Sequence, residues 1–192
     1  MIRQATIKDF KAIEKIYQSH LLDPQKVAQP DYAAKMQKSG FLLDLSDATE
    51  RQKRVETSQL FKVYEENGQV FGFIDINKEI YFPEEADNIV WFDQQRKQEY
   101  FHGKNSTVLH LIAVDQKATS KGIASQLLQG CLEDLKKQGM GYLFSLIVFG
   151  PVTNCPSLVF HHKHGFERVS VAQPIDLFGF KNYQSLLFVK KL

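Results

Sequence analysis

The stretch Leu109–Ala124, LHLIAVDQKATSKGIA, decides the fold. An apolar run long enough for a strand enters a short polar loop and leaves it as the glycine-marked start of a helix. A helix start exposes backbone N–H groups that lack intrahelical partners, and the helix dipole adds partial positive charge there. Such a turn binds phosphate without any basic side chain. The stretch therefore points to a phosphate-bearing cofactor held by main chain.

Outward from this turn, the second half of the chain reads β-α-β-α-β-β. Ser106–Val114 is a strand, and Lys121–Lys137 carries Ala124, Leu127, Leu128, Cys131, Leu132 and Leu135 on one helical stripe. Tyr142–Phe149 is almost continuously apolar, as in a strand covered on both faces. Asn154–His164 reads as a second helix, with Gly165 as a left-handed cap and Phe166 as the apolar contact beyond it. Phe166–Val171 and Gln184–Lys190 supply the last strands.

Upstream, Ile2–Ala5 reads as a strand. Lys8–His20 places Phe10, Ile13, Ile16 and Tyr17 on one helical face, and Asp31–Lys38 and Asp47–Gln59 read as further helices. FKVYEENGQVFGFIDI, residues 61–76, is a hairpin turning at Asn67-Gly68. The connection Lys78–Lys104 is long and rich in aromatic and acidic residues (Tyr81, Phe82, Trp91, Phe92, Tyr100, Phe101; Glu84, Glu85, Asp87, Asp93, Glu99). Connections of this length are usually functional or carry their own structure. This one is a lid attracting a cationic amine, a packed surface excursion or a dimer contact.

A chain of 192 residues fits one domain, here 1–192 with an insertion at about 78–104. A net charge of +2 without a basic block gives no footprint for nucleic acid. No run approaches the ~18 apolar residues of a membrane span. Two cysteines make no disulfide framework and suit a reducing compartment. The expectation is a soluble cytoplasmic protein.

In this order and spacing the motifs resemble the GNAT superfamily of N-acetyltransferases. The family's acetyl-CoA loop, Q/R-x-x-G-x-G/A, stands here as Thr119-Ser120-Lys121-Gly122-Ile123-Ala124, with Thr119 replacing the leading Gln/Arg. Its helix ending F-Y-x-x-x-G-F stands as Phe160-His161-His162-Lys163-His164-Gly165-Phe166. The resemblance implies a mixed α/β fold. Its twisted, mostly antiparallel sheet has about seven strands, splayed between the fourth and fifth, with helices on both faces. It implies acetyl-CoA as acyl donor, with the pantetheine arm in the splay against Ile112, Ala113 and Val114. The diphosphate would rest on the amides of Thr119, Ser120, Lys121, Gly122, Ile123 and Ala124. Asn154, Phe160 and Lys163 are the further cofactor-side residues.

The implied reaction is direct attack of a primary amine on the thioester. A base near neutral pKa suits that step, and His110 is the candidate, placed by strand alternation on the face of Ile112 and Val114. His161 holds the place where the family commonly has a tyrosine acid. As imidazolium it would protonate the CoA sulfur, given a neighbouring carboxylate. His161 and His164 share a helix face, but no Cys/His set completes a zinc pattern, so no metal is expected. Asn154 reads also as a helix cap beside Cys155 and Pro156. The expected acceptor is a small-molecule amine. The rivals are a protein N-terminus or lysine as acceptor, and a non-catalytic acyl-CoA-binding module. A homodimer is compatible with the sequence.

Overall fold

The computed structural model describes residues 1–78, 89–102, 105–119, 121–177 and 179–192. Strand β1 (Ile2–Gln4) leads through a short turn into helix α1 (Phe10–His20). The turn is held by Asp9, whose carboxylate accepts from Thr6 N and Oγ1 at 2.8 and 3.0 Å and from both Arg3 Nη atoms at 2.8 Å. Ile13, Ile16 and Tyr17 form the buried stripe of α1, the helical spacing seen in sequence. Helices α2 (Pro30–Ser39) and α3 (Ala48–Thr57) follow. Asp47 and Glu50 cap α3 reciprocally at 2.9 Å.

Strands β2 (Leu60–Glu66) and β3 (Gln69–Asn77) form the expected hairpin, with Asn67 and Gly68 both left-handed at φ 52° and 77°. That geometry matches strand twist and favours Asn-Gly. The chain then adds β4 (Ile89–Trp91), α4 (Gln94–His102), β5 (Ser106–Val114), α5 (Ile123–Lys137), β6 (Tyr142–Gly150) and α6 (Cys155–Lys163). It ends in β7 (Glu167–Ala172), β8 (Ile175–Leu177) and β9 (Phe180–Lys191). The sheet order is β1-β2-β3-β5-β6-β9-β7-β4, with β8 on β9. Among the described strands β5 and β6 pair in parallel and the other pairings are antiparallel.

The expected seven strands become nine among the described residues. The two extra strands, β4 and β8, are three residues each, too short to show a period in sequence. β4 lies within the long connection and pairs antiparallel with β7 at the sheet edge, Ile89 opposite Ala172. Trp91 and Tyr100 pack there against Val108, Phe144, Val169, Leu187 and Val189. Asp93 caps α4, accepting from Gln95 and Arg96 N–H. The described part of the connection is thus a packed excursion that protects an edge. Tyr81, Phe82, Glu84, Glu85 and Asp87 lie outside the described residues.

Helix α5 covers one face of the sheet through Ile123, Leu127, Leu128, Cys131, Leu132 and Leu135, packed on Ile74, Ile76, Leu143 and Ile147. Ala124, expected on this stripe, is only half-buried and borders the cleft described below; Ile123 takes its place in the core. Helices α1 and α3 cover the opposite face over Phe61, Val63, Phe73, Leu111 and Ala113.

Candidate functional site

The sheet opens where β5 meets β6. Their pairing runs only from Ser106↔Tyr142 to Leu109↔Ser145, after which the strands diverge. A cleft of about 1140 Å³ fills the divergence. Asp115 N donates to Phe71 O at 2.8 Å. Alternation along this antiparallel ladder turns the backbone groups of Ile112 and Val114 away from β3 and into the cleft. By the same alternation Ala113 spends its backbone on β3, and its side chain is buried among the α1-side residues. Ala113, expected beside the cofactor with its two neighbours, borders the cleft as they do, while the backbone groups of the open edge belong to Ile112 and Val114. The Val114 carbonyl already accepts from His20 Nε2 at 2.8 Å.

At the wide end of the cleft, Gly122 caps α5 in the left-handed conformation, φ 70°. Among the described residues beyond its chain neighbours, a Cβ built there would meet no atom within 4 Å, so the space over this turn is open. The amides of Ile123, Ala124 and Ser125 open the helix, and Thr119, Gly122, Ile123, Ala124 and Lys163 line the cleft. Thr119 Oγ1 turns back to Gln116 O at 3.1 Å. Ser120 lies outside the described residues.

Phe160 lines the cleft as well, with its ring 4.3 Å from that of His164. Asn154 is buried and committed to structure. Its Nδ2 donates to Phe41 O at 2.7 Å and its Oδ1 accepts from Ser157 N at 3.3 Å. It borders the cleft as the cap of α6, and its polar atoms serve the fold.

His110 departs from expectation in two respects. Ile76 pairs with Leu109 while Asp75 pairs with Leu111, so His110 is the extra residue of a β-bulge. The bulge reverses the alternation. Leu109 packs under α5, whereas Leu111 packs under α1. His110 therefore faces α3 rather than sharing the face of Ile112 and Val114. There its Nε2 accepts from Arg54 Nη1 at 2.8 Å, which places the ring proton on Nδ1. Burial, reinforced by the Arg54 charge, pushes its pKa down to about 4. Its ring is thus held neutral, below the near-neutral range that the sequence reading gives a base at this place, with Nε2 committed to Arg54.

Arg54 is the hub of this end. It is ion-paired with Asp44, donates to Ser46 Oγ at 2.8 Å, and brings its Nε 3.8 Å from Asp75. Burial alone would raise the Asp44 carboxyl, but bonds from Arg54 and from Ser46 N and Oγ hold it below the usual range. Asp75 is fully buried, and burial raises it to about 6.

His161 lies on the opposite face of the sheet, 1% exposed. Its Nδ1 is 2.7 Å from Ser157 O, a group that can only accept, so the proton is on Nδ1. Nε2 must then accept, and the Ser145 hydroxyl lies 2.9 Å from it. Burial lowers the pKa to about 4. The imidazolium acid expected at this place is thus a neutral ring with its one acidic hydrogen turned away from the cleft. The carboxylate needed to charge it is not among its described contacts. His164 spends Nδ1 on Phe160 O (2.7 Å) and faces Ser125 Oγ with Nε2 (3.0 Å), so the two rings do not converge on one point. Among the described residues no group of side chains could hold a metal, and no helix is long and apolar enough to cross a membrane.

Arg54, Asp44, Asp75, Ser145 and His20 escaped the sequence reading. Asp75 and Ser145 do carry a signal, each being a lone polar residue inside an apolar strand (FGFIDI and YLFSLIVF).

Comparison with known proteins bears on the whole arrangement. The acetyltransferase (GNAT) family profile matches residues 14–166. No curated protein matches the chain in sequence. Among solved structures, an N-acetyltransferase from Staphylococcus aureus Mu50 is similar at TM-score 0.65 and 24% identity, covering 100% of this chain and 97% of that one. A ribosomal-protein-alanine N-acetyltransferase from Brucella melitensis is similar at TM-score 0.64 and 22% identity, covering 100% and 99%. A putative acetyltransferase from Salmonella typhimurium, solved with its cofactor acetyl-CoA, is similar at TM-score 0.65 and 18% identity, covering 100% and 93%. At these identities the likeness is one of fold.

Proposed function

Because the chain belongs to the acetyltransferase (GNAT) family, acetyl transfer from acetyl-CoA is its chemistry, and we propose that the acceptor is a primary amine of a small molecule. The observation that supports the acetyl-CoA side of this reading is the divergence of β5 from β6 beside the left-handed turn at Gly122. Diphosphate would sit on the amides at the start of α5. The pantetheine amides would run along the open edge at Ile112 and Val114, displacing His20 from the Val114 carbonyl. The thioester would then reach the apex near Leu109, His110 and Ser145.

The fit to acetyl-CoA rests on the backbone groups of Ile112 and Val114 turned away from β3 and on open space at Gly122. When bound, the cofactor supplies an acetyl group activated as a thioester. The amine comes from the α3 side, where Glu50, Lys53 and the Asp44–Arg54 ion pair border the cleft. The amine reacts in its neutral form. Neutral His110, anchored by Arg54, lines the approach and orients the nucleophile through its ring. Proton removal falls to solvent and to the amine's own equilibrium. The cleft volume supports a small acceptor, since the pantetheine arm occupies much of it.

The test is CoA release measured across a panel of small amines and of peptides with free N-termini or lysines. Turnover on small amines is expected, rising with pH as free amine increases and with no break near pH 6.5. Turnover on peptides alone would transfer the reading to protein acetylation. Tight CoA binding without turnover on either would make the chain a binding module.

A further inference from the structure

Ser145 and His161 form a pair that amine acetylation by direct attack does not use. Ser145 is the last β6 residue paired with β5, at the apex of the cleft, and its side chain lines that cleft. His161 Nδ1–H is fixed on the Ser157 carbonyl at 2.7 Å, which leaves Nε2 as an acceptor 2.9 Å from Ser145 Oγ. Ser145 Oγ also lies 3.5 Å from the Leu109 carbonyl, but its shorter contact is to an imidazole held in one tautomer by a third group. That is the relation of nucleophile, base and orienter in acyl-transfer enzymes. A carbonyl here orients the ring where a carboxylate often does. Phe166 and Phe188, with ring centroids 4.8 and 5.7 Å from that of His161, fix it further.

We propose that Ser145 accepts the acetyl group when no amine occupies the acceptor end, giving the protein a slow, amine-independent acetyl-CoA hydrolase activity. The inference rests on acetyl-CoA lying in the cleft as proposed above. Ser145 Oγ attacks the thioester carbonyl carbon while its proton passes to His161 Nε2. The C–S bond breaks, its electron pair goes to the CoA sulfur, and the sulfur takes the proton from Nε2. An acetyl ester remains on Ser145. Water then adds to the ester carbonyl and gives a proton to Nε2, which returns it to Oγ as the ester C–O bond breaks. The sum is acetyl-CoA and water to CoA thiol, acetate and a proton. The burial that disfavours a charged imidazole makes the route slow, since each half-reaction passes through one.

The experiment incubates the protein with acetyl-CoA and no amine. Released thiol is followed, acid-quenched protein is weighed intact, and CoA binding is measured by calorimetry. Amine-independent CoA release is expected, falling at least about 100-fold in Ser145→Ala. Peptide mapping of the acid-quenched parent should find the acetyl group on Ser145, which supports the proposal even if Ser145→Ala does not fold. Release by Ser145→Ala at the parent's rate, or no release by the parent above the buffer rate, overturns the proposal. If CoA binding persists in either case, only the acyl-enzyme fails. If CoA does not bind, the reading of the cleft fails with it.

Discussion

The neutral state of His161 can be tested through acid stability. Its pKa is about 4 in the folded chain and about 6.5 when unfolded. Between these values the unfolded chain binds a proton that the folded chain does not. Stability from this group is therefore fully present above about pH 6.5 and is lost as pH falls toward 4. From pH 7 to pH 5 the loss is about 2 kcal/mol. Asp75 works in the opposite sense, because its raised pKa makes the folded chain bind the extra proton between about pH 4 and 6. His110 adds a second loss of the same sign as His161.

The total slope mixes these groups, so the readout is the difference between the parent and His161→Gln, which lacks only this titration. Urea unfolding at pH 7 and pH 5 should show the parent losing about 2 kcal/mol more than the variant, or roughly 1 M more in midpoint. The His161 ring resonances should not shift above pH 5. Equal losses in the two proteins, or a ring titrating near 6.5, would refute the buried neutral pair with Ser145.

Three further substitutions probe other parts of the account. Gly122→Val forces a branched residue into the left-handed region at a cost of about 1–2 kcal/mol and projects methyl groups over the phosphate turn. Calorimetry should show CoA binding weakened roughly tenfold or more, and unchanged affinity would remove the phosphate role of this turn. In Gly72→Ala the new Cβ would lie 3.0 Å from Ala113 O and 3.1 Å from Ile123 Cγ2. The crowding between β3, β5 and α5 should lower stability by about 1–3 kcal/mol in denaturant titration; a neutral result would mean that α5 is loosely seated. Arg54→Met strips Asp44 of its buried partner, a loss of about 3–5 kcal/mol, and should raise the His110 pKa in an NMR titration. A His110 pKa left near 4 would show that Arg54 does not control the ring.

Much of the frame was legible because short-range chemistry sets it. Asn67-Gly68 fixes the hairpin, the apolar stripe from Leu127 to Leu135 fixes α5, and Gly165-Phe166 fixes the end of α6. What escaped depends on partners far away in sequence. Nothing within LHLIAV announces the bulge at His110, because it arises from the register against Asp75 and Ile76 on β3. Its consequence is large, since one inserted residue turns every later side chain to the other face. The pKa values of His110 and His161 likewise depend on Arg54 and on burial under α6, which a local reading of strand and helix does not contain. The Asp44–Arg54–His110–Asp75 cluster draws on a loop, a helix and two strands. Of these only His110 is singled out by the sequence reading; Asp75, a charge within an apolar run, carries a signal that the reading did not use.

The account as a whole depends on coenzyme A entering the gap between β5 and β6. Amide hydrogen exchange with and without CoA tests this directly. The account predicts new protection at Ile112 and Val114 and at residues 122–124, with little change in the β2–β3 hairpin. Binding that leaves these amides unprotected, or no binding at all, would contradict it.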